Sequence, residues 1–162
     1  MKLRVLTIIS LFLFSSFTAF GVNVNFYGHL VPLSTHNLEQ IRAPYSINKS
    51  TIDYSVRRLQ RLDNSRLLSE IEVVSDFYNL DDLGKVMLVQ KTVQGISSNR
   101  RTQSLLTYHL MNELGYDVRL TYTSNSISCF GRLEHKPASS VYIIVNGHRY
   151  TNLDFTEISI FK

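Results

Sequence analysis

The first half of the chain combines one alternating stretch with three helical patterns. Residues 22–33 alternate apolar and polar positions, which predicts an opening strand. Apolar residues then recur at spacings of three and four in three successive segments, which predicts three amphipathic helices. We expect Ser50 with Asp53 to cap the first, residues 63–65 to separate it from the second, and residues 79–82 to cap the third.

A fourth helix is predicted from about residue 99 to residue 114, and the pattern changes after it. Gly115 suits the left-handed position that ends many helices. From residue 116 the chain alternates strictly, as a half-buried strand does. Further strands are predicted over residues 127–133, 141–145 and 148–155. The unbroken apolar run of the second of these favours a central strand, and Asn146-Gly147 predicts a hairpin after it.

Helices followed by antiparallel strands indicate an α+β fold, with N-terminal helices packed on a C-terminal antiparallel β-meander. Neither a repeat nor a linker rich in Pro, Gly or Ser divides the sequence. We therefore expect one domain over residues 22–162. Its N-terminal strand and helices occupy residues 22–96, and a helix with the sheet occupies residues 97–155.

The first 21 residues have the pattern of an export signal. Lys2 and Arg4 precede an uncharged stretch, residues 5–20, and small residues at positions 19 and 21 suit a signal peptidase. The stretch is shorter than the roughly 20 residues that a membrane helix needs. We expect a signal peptide over residues 1–21 and a periplasmic or secreted protein without a stable membrane span. An uncleaved anchor is the alternative.

Composition narrows the classes of function. Without Lys2 and Arg4 the chain has 15 basic and 13 acidic residues, a net charge of +2. This near-neutral balance gives little electrostatic reason to expect a nucleic-acid partner. The five histidines lack the spacing of metal ligands, so we expect neither a metal nor a cofactor.

Cys129 is the only cysteine, so an intramolecular disulfide is excluded. It falls inside a predicted strand, where no helix terminus would lower the pKa of its thiol. We therefore expect it to fill the core. A reactive role would require His135 or His148 as the base and Asp154 as the acid that orients it.

Two groups of arginines stand out. One forms a positive face on the first helix: Arg57, Arg58 and Arg61. This face is either solvated or a docking patch for an acidic partner or an anionic envelope polymer. Arg100 and Arg101 at the start of the fourth helix oppose its dipole by about 0.3–1 kcal/mol each. We expect the helix to begin later, near Thr102; alternatively, the two arginines hold an anion there.

Two segments carry a resemblance to a known superfamily. LLTYHLMNELGYDVRL, residues 105–120, looks like a helix that ends in Leu-Gly and enters a strand. VYIIVNGHRYTNLDF, residues 141–155, looks like a final hairpin with the order aromatic-x-x-Leu-Asp. Together, over about residues 97–155, they resemble the transglutaminase-like (papain-like cysteine peptidase) superfamily. The upstream part is similar, more loosely, to short exported bacterial proteins that carry such a region.

The departures from that superfamily concern its nucleophile and its base. The resemblance implies a cysteine at the start of the fourth helix and a histidine at the start of the penultimate strand. At the first place the sequence has Asn99, Arg100 and Arg101; at the second it has Ser139, Ser140 and Val141. The acid remains as Asp154, but an aspartate without an imidazole to orient has no catalytic task.

The resemblance therefore implies a non-catalytic module for binding or assembly, with a peptide, protein or envelope partner in the former active-site groove. We expect the groove to be lined by Arg100, Arg101, Ser140 and Asp154. The alternative is a cysteine hydrolase or acyltransferase that uses Cys129, His135 or His148, and Asp154 as a relocated triad. A third possibility is another α+β fold, in which the fourth helix would not pack across the sheet of residues 116–155.

Overall fold

A computed structural model describes residues 21–135 and 141–154 of the chain. The predicted signal peptide lies outside the described residues except for Gly21, as does Ser140. The described residues contain four helices and antiparallel sheets, which confirms the α+β class. Within the same residues, each helix is too short or too polar to cross a membrane.

The first element of the described residues is a hairpin rather than the single strand that the alternation predicted. Strand β1, Val22–Phe26, pairs antiparallel with β2, His29–Leu33. Tyr27 and Gly28 between them have φ angles of 49° and 80°. Positive φ at both central residues is the geometry of a two-residue hairpin turn. The prediction of one strand was wrong because a tyrosine at the first turn position gives no turn signal.

Four helices follow the hairpin. They are α1, Lys49–Leu59; α2, Ser65–Phe77; α3, Asp82–Ile96; and α4, Arg100–Glu113. The cap of α1 differs from the predicted pair of Ser50 with Asp53. The Asn48 side chain accepts a hydrogen bond from the N–H of Thr51, and the Thr51 side chain accepts one from the N–H of Asn48. This reciprocal pair satisfies two backbone donors that the helix leaves without partners.

The C-terminal strands form one antiparallel sheet in the order β3-β4-β6-β5. They are β3, Val118–Tyr122; β4, Ile127–Gly131; β5, Tyr142–Val145; and β6, His148–Asn152. Because β6 rather than β5 pairs with β4, the sheet is not a simple meander. The prediction of a central strand over residues 141–145 was wrong: in the described part of the chain β5 lies at an edge of the sheet, and Ile144 is 60% exposed. The predicted hairpin at Asn146-Gly147 is confirmed.

The helices and both sheets share one hydrophobic core. Helix α4 packs across β4 and β3, and α3 lies between α4 and the N-terminal hairpin. Phe26, Leu88, Leu106 and Leu110 are fully buried members of this cluster, which also includes Cys129. Since α4 packs on the sheet, its first turn is placed beside the strand ends that form the candidate site.

Candidate functional site

The start of α4 is fixed by a side-chain cap. Asn99 has extended backbone angles, and its side-chain oxygen accepts the N–H of Thr102 at 3.1 Å. The helix begins at Arg100, so the predicted start near Thr102 was wrong. Thr102 is 1% exposed, and its hydroxyl accepts the N–H of Ala43 at 3.0 Å. These bonds hold the first turn in place although two arginines oppose the helix dipole there.

A cleft of about 640 Å³ opens beside this first turn. Its walls are the first turns of α4, the last turns of α3, the β3–β4 turn and the chain after β6. Arg100, Arg101 and Asp154 all line it, so the structure brings these three predicted binding residues together. Arg101 donates from Nε to the carbonyl of Asn125 at 3.1 Å, which ties the helix start to the β3–β4 turn. Binding of a partner in this cleft stays a prediction.

Asp154 reaches the cleft because the chain after β6 is held on both sides. The N–H of Leu153 donates to the carbonyl of Cys129 at 2.8 Å, which extends the β4–β6 pairing. The carbonyl of Leu153 accepts a hydrogen bond from the side-chain amide of Gln90, a buried residue of α3. Asp154 then accepts the N–H of Cys129 at Oδ2, at 2.8 Å.

The Asp154 carboxyl lies in an unfavourable place for a charge. Burial raises its pKa above the ordinary value. Hydrogen bonds from the Cys129 N–H and from the hydroxyls of Ser104 and Ser128 act against burial without cancelling it. The Cys129 N–H and the nearby serine hydroxyls favour the carboxylate, and none of these groups is a base that Asp154 could orient for catalysis.

Cys129 behaves as the core residue that the sequence predicted. It is 0% exposed and belongs to the hydrophobic cluster. Burial, and then the negative charge of Asp154, raise the pKa of its thiol well above the ordinary value. Because the thiolate is the nucleophilic form, the thiol is both unreactive and inaccessible in this fold.

The two histidines of the relocated triad lie away from Cys129. His148 begins β6, five residues before Leu153, which corresponds to roughly 16 Å along an extended strand. His135 follows Glu134, which lies beyond the C-terminal end of β4 and whose N–H donates to Asp82 at the start of α3. Within residues 21–135 and 141–154, no imidazole lines the cleft.

Another imidazole, that of His109, is buried on α4 and has a structural partner. Its Nε2 lies 2.9 Å from the Nδ2 of Asn64, the residue that precedes α2. Burial lowers the pKa of His109, and the negative charge of Glu113 acts in the opposite direction. The neutral imidazole therefore joins α4 to the start of α2 rather than serving the cleft.

Sequence reasoning missed three residues that contact Asp154 or the residue before it. Ser104 lies within a helix and Ser128 within a strand, where a serine gives no signal of its function. Gln90 did give a signal in the sequence, because it occupies the apolar face of α3 together with Val86 and Val93. A glutamine in such a position needs a buried hydrogen-bond partner, which here is the Leu153 carbonyl.

Comparisons with protein-family models, with curated proteins and with solved structures find no match for this chain. The transglutaminase-like resemblance therefore stays a prediction.

Proposed function

We propose that the protein is an exported, non-catalytic binding or assembly module built on a degenerate transglutaminase-like fold. It holds a peptide or protein segment of an envelope partner in the cleft beside α4. The observation that carries this proposal is the composition of the cleft. In the described part of the chain, the first turn of α4 has no cysteine, and it lines the same cleft as Asp154, which has no imidazole beside it.

The chemistry of the cleft suits a peptide better than an apolar ligand. Amides and hydroxyls supply most of its polar lining, with the guanidinium groups of Arg100 and Arg101 at the helix start. Such groups can bind the amides and carboxylates of a peptide. The volume of about 640 Å³ is typical of a ligand site.

The absence of an activated nucleophile supports holding rather than cleavage. Asn99, Arg100 and Arg101 occupy the place where the resembling superfamily has its cysteine. Cys129 is buried with a raised pKa, as described above. A relocated triad has no comparable support, because the register of β6 and the end of β4 carry both candidate histidines away from Cys129.

Site-specific photocrosslinking in the producing cells tests the proposal. A photoreactive amino acid replaces Gln94, an exposed α3 residue that lines the cleft, or Glu72, an exposed α2 residue outside its lining. We expect a discrete covalent adduct from position 94 and none from position 72. Adding Arg101→Gln should lower the adduct yield several-fold, because it removes a charged donor from the cleft.

The thermal unfolding of each variant provides the control for a damaged fold. Equal adducts from both positions, or no adduct from position 94 in a folded variant, would contradict a binding cleft. An adduct that is insensitive to Arg101→Gln would place the partner elsewhere on α3.

A further inference from the structure

Within residues 21–135 and 141–154, strand β3 lies at an edge of its sheet and has main-chain groups without a partner strand, away from the cleft beside α4. In the described part of the chain its only neighbour in the sheet is β4. The N–H of Thr123 donates to the Ser126 carbonyl at 2.9 Å, and the N–H of Arg132 donates to the Asp117 carbonyl at 2.9 Å. These two bonds fix which residues of the ladder are hydrogen-bonded pairs.

Hydrogen-bonded pairs alternate along an antiparallel ladder. Between positions 117 and 123, the bonded residues of β3 are therefore Arg119 and Thr121. The N–H and C=O groups of the others point away from β4: Val118, Leu120 and Tyr122. Each of these three residues offers one donor and one acceptor to an added strand.

A groove of about 430 Å³ lies directly beside this edge, between β3 and α1. Ile52 and Val56 of α1 and Tyr108 of α4 supply apolar surface, and Leu120 and Tyr122 form the wall on the strand side. Tyr122 is 40% exposed, so the groove is open to solvent. An added strand would find main-chain partners and an apolar surface for its alternate side chains at the same place.

The end of α1 beside the groove carries more positive than negative charge. Arg57 lines it, with Asp53 as its acidic counterpart, and the exposed Arg58 and Arg61 continue the same end of α1. Arg57 donates from Nε to the main-chain carbonyl of Asp53 at 3.3 Å, which directs it along the helix. This excess positive charge complements a partner segment of negative charge.

We propose that an extended, acidic peptide segment of a partner protein adds to β3 as a fifth, antiparallel strand. Its alternate apolar side chains enter the groove, and its acidic residues lie near the arginines of α1. This is binding by β-augmentation, in which main-chain hydrogen bonds give affinity and side-chain pockets give specificity. The site is separate from the cleft beside α4, so it goes beyond the function proposed above.

The geometry predicts which peptide amides matter. Residues directly opposite each other in an antiparallel pair point their side chains to the same face. Peptide residues bonded to Val118, Leu120 and Tyr122 therefore direct their side chains to the groove, as Leu120 and Tyr122 do. The peptide residues whose side chains enter the groove are therefore the same residues whose N–H groups donate hydrogen bonds to β3.

A blocked peptide, Glu-Glu-Val-Thr-Val-Thr-Val-Glu-Glu, tests this directly by nuclear magnetic resonance titration of the exported form of the protein. We expect saturable shifts of the Val118, Leu120 and Tyr122 amides. N-methylation of the three valines should weaken binding at least about tenfold, whereas N-methylation of the two threonines should not. The peptide with lysine in place of glutamate should also bind at least about tenfold more weakly.

Two protein variants separate this site from the cleft. Arg57→Gln should weaken binding of the acidic peptide several-fold, whereas Arg101→Gln should leave it unchanged. The proposal is overturned by a lack of saturable binding, by equal effects of the two methylation patterns, or by shifts confined to the start of α4. Pairing of β3 with a second copy, seen as a dimer that the peptide does not dissociate, also overturns it.

Discussion

Replacing Leu106 by alanine is expected to lower the free energy of unfolding by about 2–5 kcal/mol. Leu106 is 0% exposed, on the helix that packs across β4 and β3. The change removes buried methyl groups and leaves a cavity in the hydrophobic core. Chemical denaturation followed by circular dichroism measures the loss.

Leu30→Ala is the matched control, because Leu30 is 72% exposed on the N-terminal hairpin. Its free energy of unfolding should change by no more than about 0.5 kcal/mol. Equal losses in the two variants would mean that α4 does not form the central layer. The cleft beside its first turn would then lose its structural basis.

Replacing Asp154 by alanine is expected to cost about 1–3 kcal/mol, because it removes the acceptor of the buried Cys129 N–H. Asp154→Asn keeps an oxygen in that place and carries no charge. We therefore expect the asparagine variant to be at least as stable as the wild type at neutral pH. Comparing the alanine and asparagine variants separates the stabilisation by the hydrogen bond from the destabilisation by the buried charge.

The pH dependence of the Asp154 variants has a definite sign. The pKa of Asp154 in the folded protein lies above its ordinary value of 3.8. At pH values between 3.8 and the higher pKa of Asp154 in the folded protein, the folded protein binds more protons than the unfolded chain. The contribution of Asp154 to stability therefore falls as pH rises through this range. The advantage of Asp154→Asn over the wild type should therefore be greater at pH 7 than below pH 4.

Denaturation curves at several pH values measure this difference. An advantage of Asp154→Asn that shrinks as pH rises would mean that the native carboxylate is favoured rather than penalised. In that case the hydrogen bonding around Asp154 would outweigh the effect of burial on its pKa.

The sequence predicted the parts of the fold that depend on local patterns. Helix α4 with its Gly115 end and the Asn146-Gly147 hairpin follow from periodicity and from residues that tolerate positive φ. The turn at Tyr27 was missed because its conformation, unusual for a tyrosine, is imposed by the pairing of β1 with β2. The edge position of β5 was missed because an apolar run does not indicate how many neighbours a strand has.

For the candidate site, sequence reasoning reached the charged residues but not the network that holds them. The resemblance directed attention to Arg100, Arg101 and Asp154, which the structure places around one cleft. The bond from Cys129 to Asp154 joins residues 25 positions apart, and it depends on the register between β4 and β6. No local pattern encodes that register.

The start of α4 shows how a local cost is tolerated. The dipole argument predicted a helix that begins after the two arginines, yet the helix begins at Arg100. The Asn99 cap and the bond from Ala43 to the buried Thr102 offset a cost of about 0.3–1 kcal/mol for each arginine. Arg100 and Arg101 line the cleft although the helix dipole disfavours them there. This placement is consistent with the role in binding that we propose.

The most direct test of a cleft that binds a partner without catalysis is a turnover assay on the purified protein. The protein is incubated with peptide amides and with thiol-directed activity probes, beside a Cys129→Ser variant. We predict no turnover by either form, and labelling of Cys129 no faster than the protein unfolds. Turnover or rapid labelling by the native protein that disappears in Cys129→Ser would contradict the account.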